Sequence, residues 1–316
     1  MRYVLFGGSG QIGALLAREW SARGNQVTVV SRKKPDGPWN WVAWDGVTPG
    51  LWQSALEGAD VVVNLAGRSV DCRYNHKNRA SILNSRVDST RAIGKAIAAC
   101  PQPPKLWLQS STATIYSDRR DAPNDEFTGI LGGGEPSAPK SWVFSIKVAK
   151  AWEDALAEES LPATRRIALR SAMVMSPDPG GVFSVLLRLV RYGLGGTMGD
   201  GGQYVSWIHD RDFVRAIDFL IKSEHISGPV NLASPLPLPN ARFMSSLRTA
   251  WGQRLGLPAT SWMLEIGAVF LRTETELILK SRRVIPGILL KEGFDFQYPD
   301  WEKAAADLCR RWRQRP

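Results

Sequence analysis

Gly7-Gly8-Ser9-Gly10-Gln11-Ile12-Gly13 sets glycines at positions 7, 10 and 13. In a turn between a strand and a helix, each would have a distinct task. Gly7 permits the tight bend, Gly10 lets a pyrophosphate approach the backbone, and Gly13 lets the helix pack closely on the sheet. Free amides at the head of that helix, among them those of Ser9, Gln11 and Ile12, would face the phosphates at the positive end of its dipole. Further on, Val29-Val30 runs into Ser31-Arg32-Lys33. A carboxylate there would accept hydrogen bonds from the ribose hydroxyls of NAD, whereas a guanidinium fork suits the 2′-phosphate of NADP. The pattern favours NADP(H) over NAD(H), the alternative being that Arg32 and Lys33 are solvated loop charges. Asp45 either contacts the adenine or closes the turn before Gly46. Leu65-Ala66-Gly67 lets the chain run close beside a dinucleotide, and Ser110-Ser111-Thr112 ends a strand where open α/β sheets place ligands.

These groups converge only if strands and helices alternate in a fixed rhythm. Apolar runs predict strands over 2–6, 26–30, 41–44, 59–65, 105–109 and 164–169. Apolar residues at helical spacing, such as Ile12, Leu15, Leu16 and Trp20, predict helices over 11–23, 79–99 and 142–158. This alternation implies an α/β fold, a doubly wound parallel Rossmann sheet. After Arg170 the chain becomes glycine-rich, then predicts a helix over 208–221 and a late strand over 230–233. The expected division is a dinucleotide-binding domain over 1–175, with 204–233 returning to the sheet. A smaller, mostly helical domain, over 176–203 and 234–316, would bind substrate.

Composition excludes several other classes. The chain has 316 residues, with 40 Lys and Arg against 30 Asp and Glu, a formal charge of +10. The basic residues are dispersed. The densest clusters, Arg32-Lys33-Lys34, Lys280-Ser281-Arg282-Arg283 and Arg310-Arg311-Trp312-Arg313, read as solvated surface, so no nucleic-acid partner is expected. Cys72, Cys100 and Cys309 are too scattered for a disulfide framework, and they and His76, His209 and His225 lack metal-ligand spacing. No GxSxG elbow for a hydrolase occurs. The apolar stretch 261–271 is short and interrupted by Glu265, so no membrane span is expected. The start of the chain enters the glycine turn directly, which fits a cytoplasmic protein without a leader.

The stretches GGSGQIG, VVNLAGRSV, ILNSRVDSTRAI, SSTATIY, AWEDAL, ALRSAMVMSPDPGGV, YVSWIHDRD, GPVNLASPLPLPNARF and SRRVIPGILLKEGFDFQYPD occur in order along nearly the whole chain. Together they resemble the extended short-chain dehydrogenase/reductases. More narrowly, they resemble the atypical subgroup of epimerase family proteins with a C-terminal domain of unassigned function. The resemblance implies that Gly7, Gly10 and Gly13 hold the pyrophosphate and Arg32 the 2′-phosphate. It implies that Leu65, Ala66 and Gly67 border the nicotinamide-side ribose. Met173 and Val174, following Arg170, would flank the nicotinamide, with Arg170 and Ser110 counted among the cofactor contacts. Arg86 stands where many relatives have a helix asparagine and would orient cofactor or substrate. Thr112 matches the catalytic Ser/Thr, the loop 195–207 would line the substrate cleft, and His209 and Asp212 fall in a helix-capping segment.

One departure is large. The ordinary mechanism uses a tyrosine whose pKa is lowered by a lysine four residues later. None of the six tyrosines has that partner. The resemblance puts the two positions near Ser145 and Ala149. Lys147 could reach the cofactor ribose or be a surface lysine. Tyr116, with Thr112 as its partner, could replace the proton donor or be a packing residue. The implied function is NADP(H)-dependent hydride transfer to or from a small carbonyl, imine or related substrate. The alternative is a non-catalytic NADP(H)-binding sensor or assembly protein. Trp142, Trp152 and Trp207, three of 13 tryptophans, either wall the cleft for an apolar or aromatic substrate or belong to the core. A monomer or homodimer is expected.

Overall fold

Tyr3 and Leu5 of the first strand enter one hydrophobic cluster, and Val4 and Phe6 enter another. This alternation requires a sheet covered on both faces, and the computed structural model shows one. It describes residues 1–135, 138–260, 263 and 276–315; nearly all of the stretch 261–271 lies outside the described residues. Seven parallel strands form the central sheet: β1 (Arg2–Phe6), β2 (Gln26–Ser31), β3 (Asn40–Ala43), β4 (Val61–Asn64), β5 (Leu106–Thr112), β6 (Arg165–Ser171) and β10 (Gly228–Leu232). Their order is β10-β6-β5-β4-β1-β2-β3. The order reverses at β1, so the crevice between β1 and β4 is the topological switch point where such sheets bind ligands. Two small pairs lie outside this sheet. Strand β7 (Met173–Met175) runs parallel to β9 (Trp207–His209), and β8 (Tyr204–Val205) runs antiparallel to β11 (Leu238–Pro239).

Helices α1 (Gln11–Ala22) and α5 (Asp210–Lys222) cover one face of the sheet with Leu15, Leu16, Trp20, Phe213, Ile217 and Leu220. The Trp20 indole donates to Asp218 at 2.9 Å, which joins the two helices. The expected helix over 208–221 begins later than its apolar pattern suggests, because Ile208 and His209 belong to β9. Helices α2 (His76–Ala98) and α3 (Lys140–Ala157) lie across the other face. The Asn75 side chain caps α2 by accepting from the Asn78 amide at 2.9 Å.

A second core gathers α4 (Val182–Arg191), α6 (Asn240–Trp251) and the C-terminal helix Trp301–Arg313 around Phe183, Phe243 and Trp301. Trp207 is fully buried there, 4.9 Å from the Trp301 ring. Trp152 is also buried and donates to Thr90 Oγ1 at 3.1 Å. Both indoles are therefore core rather than cleft wall.

His209 caps α5: its Nδ1 accepts from the Arg211 amide at 3.2 Å, so Nε2 carries the proton toward Asp307 at 3.1 Å. Burial lowers the imidazole pKa. Arg311 bridges Asp210 and Asp307 beside it, so this part of the C-terminal basic cluster is paired rather than solvated.

Candidate functional site

The glycine turn has the geometry its spacing predicts. Gly7 has a φ of +71°, and a Cβ there would stand 2.7 Å from the Ala66 nitrogen. The loops after β1 and β4 thus touch at the switch point. A Cβ on Gly13 would stand 2.3 Å from the Gly8 Cα, so α1 can approach the turn only with glycine at that position. Gly10 is different. A Cβ there would meet only the Gly7 carbonyl, at 3.7 Å, which leaves the head of α1 open. Ser9 is exposed beside it, and Ile12 is half-buried. The Gln11 side chain turns away and donates to the Asp178 carbonyl at 3.0 Å, tying α1 to the loop before α4.

At the end of β2, the buried Ser31 hydroxyl donates to the Lys33 carbonyl at 2.7 Å and curls the loop. Arg32 and Lys33 are exposed. Arg32 lines an open pocket of about 390 Å³ together with Trp44, Asp45, Leu51 and Trp52, and has no ion pair among the described residues. Asp45 accepts from the Val47 and Thr48 amides at 2.9 and 2.8 Å and from the Thr48 hydroxyl at 2.5 Å. These bonds, the Thr48 hydroxyl first, hold its carboxyl down to about 2. Asp45 therefore closes a turn and also forms part of the pocket wall.

Two buried polar residues missed in the sequence shape the next loop. Asn64 Oδ1 accepts from the Ala66 amide at 2.9 Å, and its Nδ2 donates to Gln109 Oε1 at 3.0 Å. They fix the path of Leu65, Ala66 and Gly67. The available signal was a polar residue closing each of two otherwise apolar strand cores. Arg86 packs over the Trp152 ring at 4.9 Å and donates to the carbonyls of Arg68 and Ile82 at 3.0 and 3.1 Å. A Cβ on Gly67 would lie 3.3 Å from its Cζ. Burial pushes the guanidinium pKa down to about 10, and no described carboxylate pairs with it.

The proton-transfer end differs from expectation. Thr112 ends β5, and its hydroxyl oxygen accepts from the Thr114 amide at 3.1 Å, with Ser110 half-buried earlier on the strand. Tyr116 is only 2% exposed. It donates to Asn231 Oδ1 at 3.0 Å and accepts from Arg170 Nη1 at 3.0 Å. Arg170 in turn grips Glu153 with two bonds, at 2.9 and 2.7 Å, and Glu153 also accepts from Ser111 at 2.6 Å. Tyr116 and Arg170 are thus committed to a buried network joining β5, α3, β6 and β10. Burial raises the Tyr116 pKa, opposite to what a proton donor needs. Lys147 is exposed on α3, whereas Ala149, at the expected lysine position, is fully buried. The structure does not bring Tyr116 and Lys147 together, because helical periodicity turns Lys147 outward. Met173 and Val174 lie half-buried on β7.

Instead, the C-terminal part of the chain reaches this end of the sheet. Ser145, at the expected tyrosine position, donates to Glu276 Oε2 at 2.5 Å. Lys280 Nζ donates to the Thr114 carbonyl at 2.8 Å, and Arg282 Nε donates to the Thr114 hydroxyl at 3.0 Å. Ser206 clasps the same strap from the other side, donating to the Arg282 carbonyl at 2.6 Å. Lys280 is 2% exposed, and burial pushes its amine pKa down to about 8. The basic cluster 280–283, which reads as solvated surface in the sequence, is therefore largely a buried clamp on the loop after β5. Among the described residues, no three His, Cys, Asp or Glu side chains are placed to hold a metal. No described helix is long and apolar enough to cross a membrane.

A Rossmann sheet with a glycine turn at its switch point and a serine–threonine strand end beside it defines a nicotinamide-dinucleotide class of proteins. The model of the NAD dependent epimerase/dehydratase family matches residues 3–233, and the chain belongs to that family. A second model, a domain of unknown function (DUF1731), matches residues 259–308, which include the strap. The human epimerase family protein SDR39U1 is 33% identical over 313 residues, covering 98% of this chain and 99% of that protein. An epimerase family protein of Staphylococcus aureus strain N315 is 27% identical, with coverage of 98% and 99%. The crystal structure of the human protein (isoform 2) with NADPH superposes with a TM-score of 0.83 at 30% identity, covering 98% of this chain and 99% of that one.

Proposed function

We propose that this protein is an NADP(H)-dependent oxidoreductase that moves hydride to or from a small carbonyl or imine substrate without the usual tyrosine–lysine pair. The observation that carries this reading is Arg32, exposed and without an ion pair among the described residues, at the lip of the pocket that ends β2 and β3. The open head of α1 over Gly10 fits a pyrophosphate, and Arg32 fits a 2′-phosphate. The relative bound to NADPH supports the same choice. Leu65–Gly67 and Met173–Val174 would border the nicotinamide, and the bound dinucleotide would supply the hydride. We place the protein in the cytoplasm, as a monomer or homodimer acting on a small molecule.

A second reading is a non-catalytic NADP(H) sensor, favoured by Ser145 and buried Ala149 at the tyrosine and lysine positions. It differs in one respect: the dinucleotide binds but is never consumed.

The test is quenching of tryptophan fluorescence by NADPH and NADH. Arg32→Ala is expected to weaken NADPH binding about 10- to 100-fold, the worth of one or two charge-assisted hydrogen bonds, and to leave NADH unchanged. Equal loss of both, or of neither, would remove the 2′-phosphate assignment.

A further inference from the structure

Two arginines beside the loop that follows β4 meet only neutral partners among the described residues. We propose that Arg86 and Arg68 form an oxyanion-binding site on the nicotinamide side of the crevice, so that the substrate is a carbonyl or imine compound carrying a carboxylate or a phosphate. The inference deepens the oxidoreductase reading above and rests on it.

Arg68 directly follows Leu65-Ala66-Gly67, and Arg86 meets this loop from α2. The Arg86 guanidinium lies along the backbone of Gly67, where a Cβ would stand 3.3 Å from its Cζ and 3.5 Å from its Nη1. Gly67 is exposed, so the loop at this point borders open space. One residue earlier, Ala66 touches Gly7 of the glycine turn. The two arginines are therefore tied by contact to the switch point.

On Arg86, Nη1 alone has protein acceptors among the described residues: the carbonyls of Arg68 and Ile82, at 3.0 and 3.1 Å. Its Cζ stands 4.9 Å from the centre of the Trp152 ring. Arg68 donates to the Ser81 hydroxyl at 3.2 Å and to Asn78 Oδ1 at 2.7 Å, and its amide donates to Ser85 Oγ at 2.9 Å. Both side chains are half-buried. A guanidinium shielded from water and unmatched by a carboxylate is costly to hold, and carbonyls and a ring face offset only part of that cost. An incoming oxyanion supplies the missing charge and accepts charge-assisted hydrogen bonds from the open edge of the fork.

The surroundings reinforce this. The stretch 65–90 carries Arg68, Arg73, Lys77, Arg79 and Arg86 against Asp71 and Asp88. Asp71 is exposed, and Asp88 acts on Arg91 further along α2. In the reading above, the anions of the dinucleotide already have their places, over Gly10 and at Arg32, both on the β1–β2 side of the crevice. The anion for Arg86 and Arg68, on the β4–α2 side, is therefore the substrate's.

The test uses the full chain saturated with NADPH. Pyruvate and inorganic phosphate are the probes, and acetone is the neutral control. Saturation-transfer NMR follows the methyl groups, and phosphorus line width follows phosphate. At least one anion is expected to bind, more weakly as salt rises, and acetone is expected not to bind. Arg86→Gln and Arg68→Gln should each weaken the anion about 10-fold or more, the worth of a charge-assisted hydrogen bond, with NADPH quenching unchanged. Arg86→Lys keeps the charge but not the fork and should lose less. The proposal is overturned if neither anion binds, if acetone binds as well as pyruvate, or if either glutamine variant holds the anions as the wild type does. It is also overturned if NADPH affinity falls together with the anion in Arg86→Gln, which would give Arg86 to the dinucleotide. Should Arg86→Gln fail to fold, Arg86→Lys and Arg68→Gln decide, and unmoved anion binding in both overturns it. A wild-type chain that binds no NADPH would sink the oxidoreductase reading, whereas normal NADPH binding without an anion response would sink only this site.

Discussion

The dinucleotide end of the cleft draws its groups from residues 7–67, in chain order, on four adjacent strands and the loops that follow them. The opposite end of the sheet draws on Arg86, Thr112, Ser145 and the strap 276–282, which arrive from α2, β5, α3 and the C-terminal part. At the first end, contacts are between backbones. Gly7 meets Ala66 and Gly13 meets Gly8 with no room for a Cβ. At the second, buried charged side chains bond to carbonyls and hydroxyls of other segments. A local backbone cradle tolerates little substitution but needs few partners. A site assembled from distant side chains can exchange one residue for another, provided the buried charges remain matched. That difference explains how the tyrosine–lysine pair could be absent while the glycine turn persists.

Three substitutions would break or sharpen the contrast. The largest effect is expected from Arg170→Ala. It strands Glu153 beneath the sheet end and removes the two bonds by which Arg170 holds α3 to β6, so unfolding free energy in denaturant should fall by about 3–5 kcal/mol. A loss under about 1 kcal/mol would mean that Glu153 finds water or another donor, and that this end is less sealed than its burial indicates. Gly13→Ala comes next, at about 1–3 kcal/mol, the usual range for overpacking, together with loss of NADPH binding. Unchanged NADPH affinity would show that α1 can retreat from the turn without disturbing the phosphate cradle. The smallest effect is expected from Lys147→Ala: stability within about 0.5 kcal/mol and unaltered NADPH binding, since its side chain is exposed on α3. Weaker NADPH binding would return Lys147 to the ribose and undo the separation of the two ends.

Legibility in the sequence followed the same division. The glycine turn, the strand–helix rhythm and the basic residue after β2 could be read because each depends on neighbours in the chain. Helix boundaries were less accurate: α2 starts at His76 under the Asn75 cap, ahead of the apolar pattern that marked residue 79. The basic cluster 280–283 was misread because charge alone does not say whether a lysine meets water or the Thr114 carbonyl. Tyr116 is a lone tyrosine in sequence, and only the fold shows what engages its phenol. Arg170 and Asn231 occupy the Tyr116 phenol.

By itself, then, the sequence determined the parallel doubly wound sheet, the switch-point turn and an arginine in the loop that ends β2. These follow from backbone sterics and apolar periodicity, which act over a few residues. Only the tertiary structure decided which titratable groups share the far end of the cleft. The energy of a buried charge depends on what surrounds it in space, and here those surroundings come from segments far apart in the chain, as with Thr114 and Arg282, 168 residues apart.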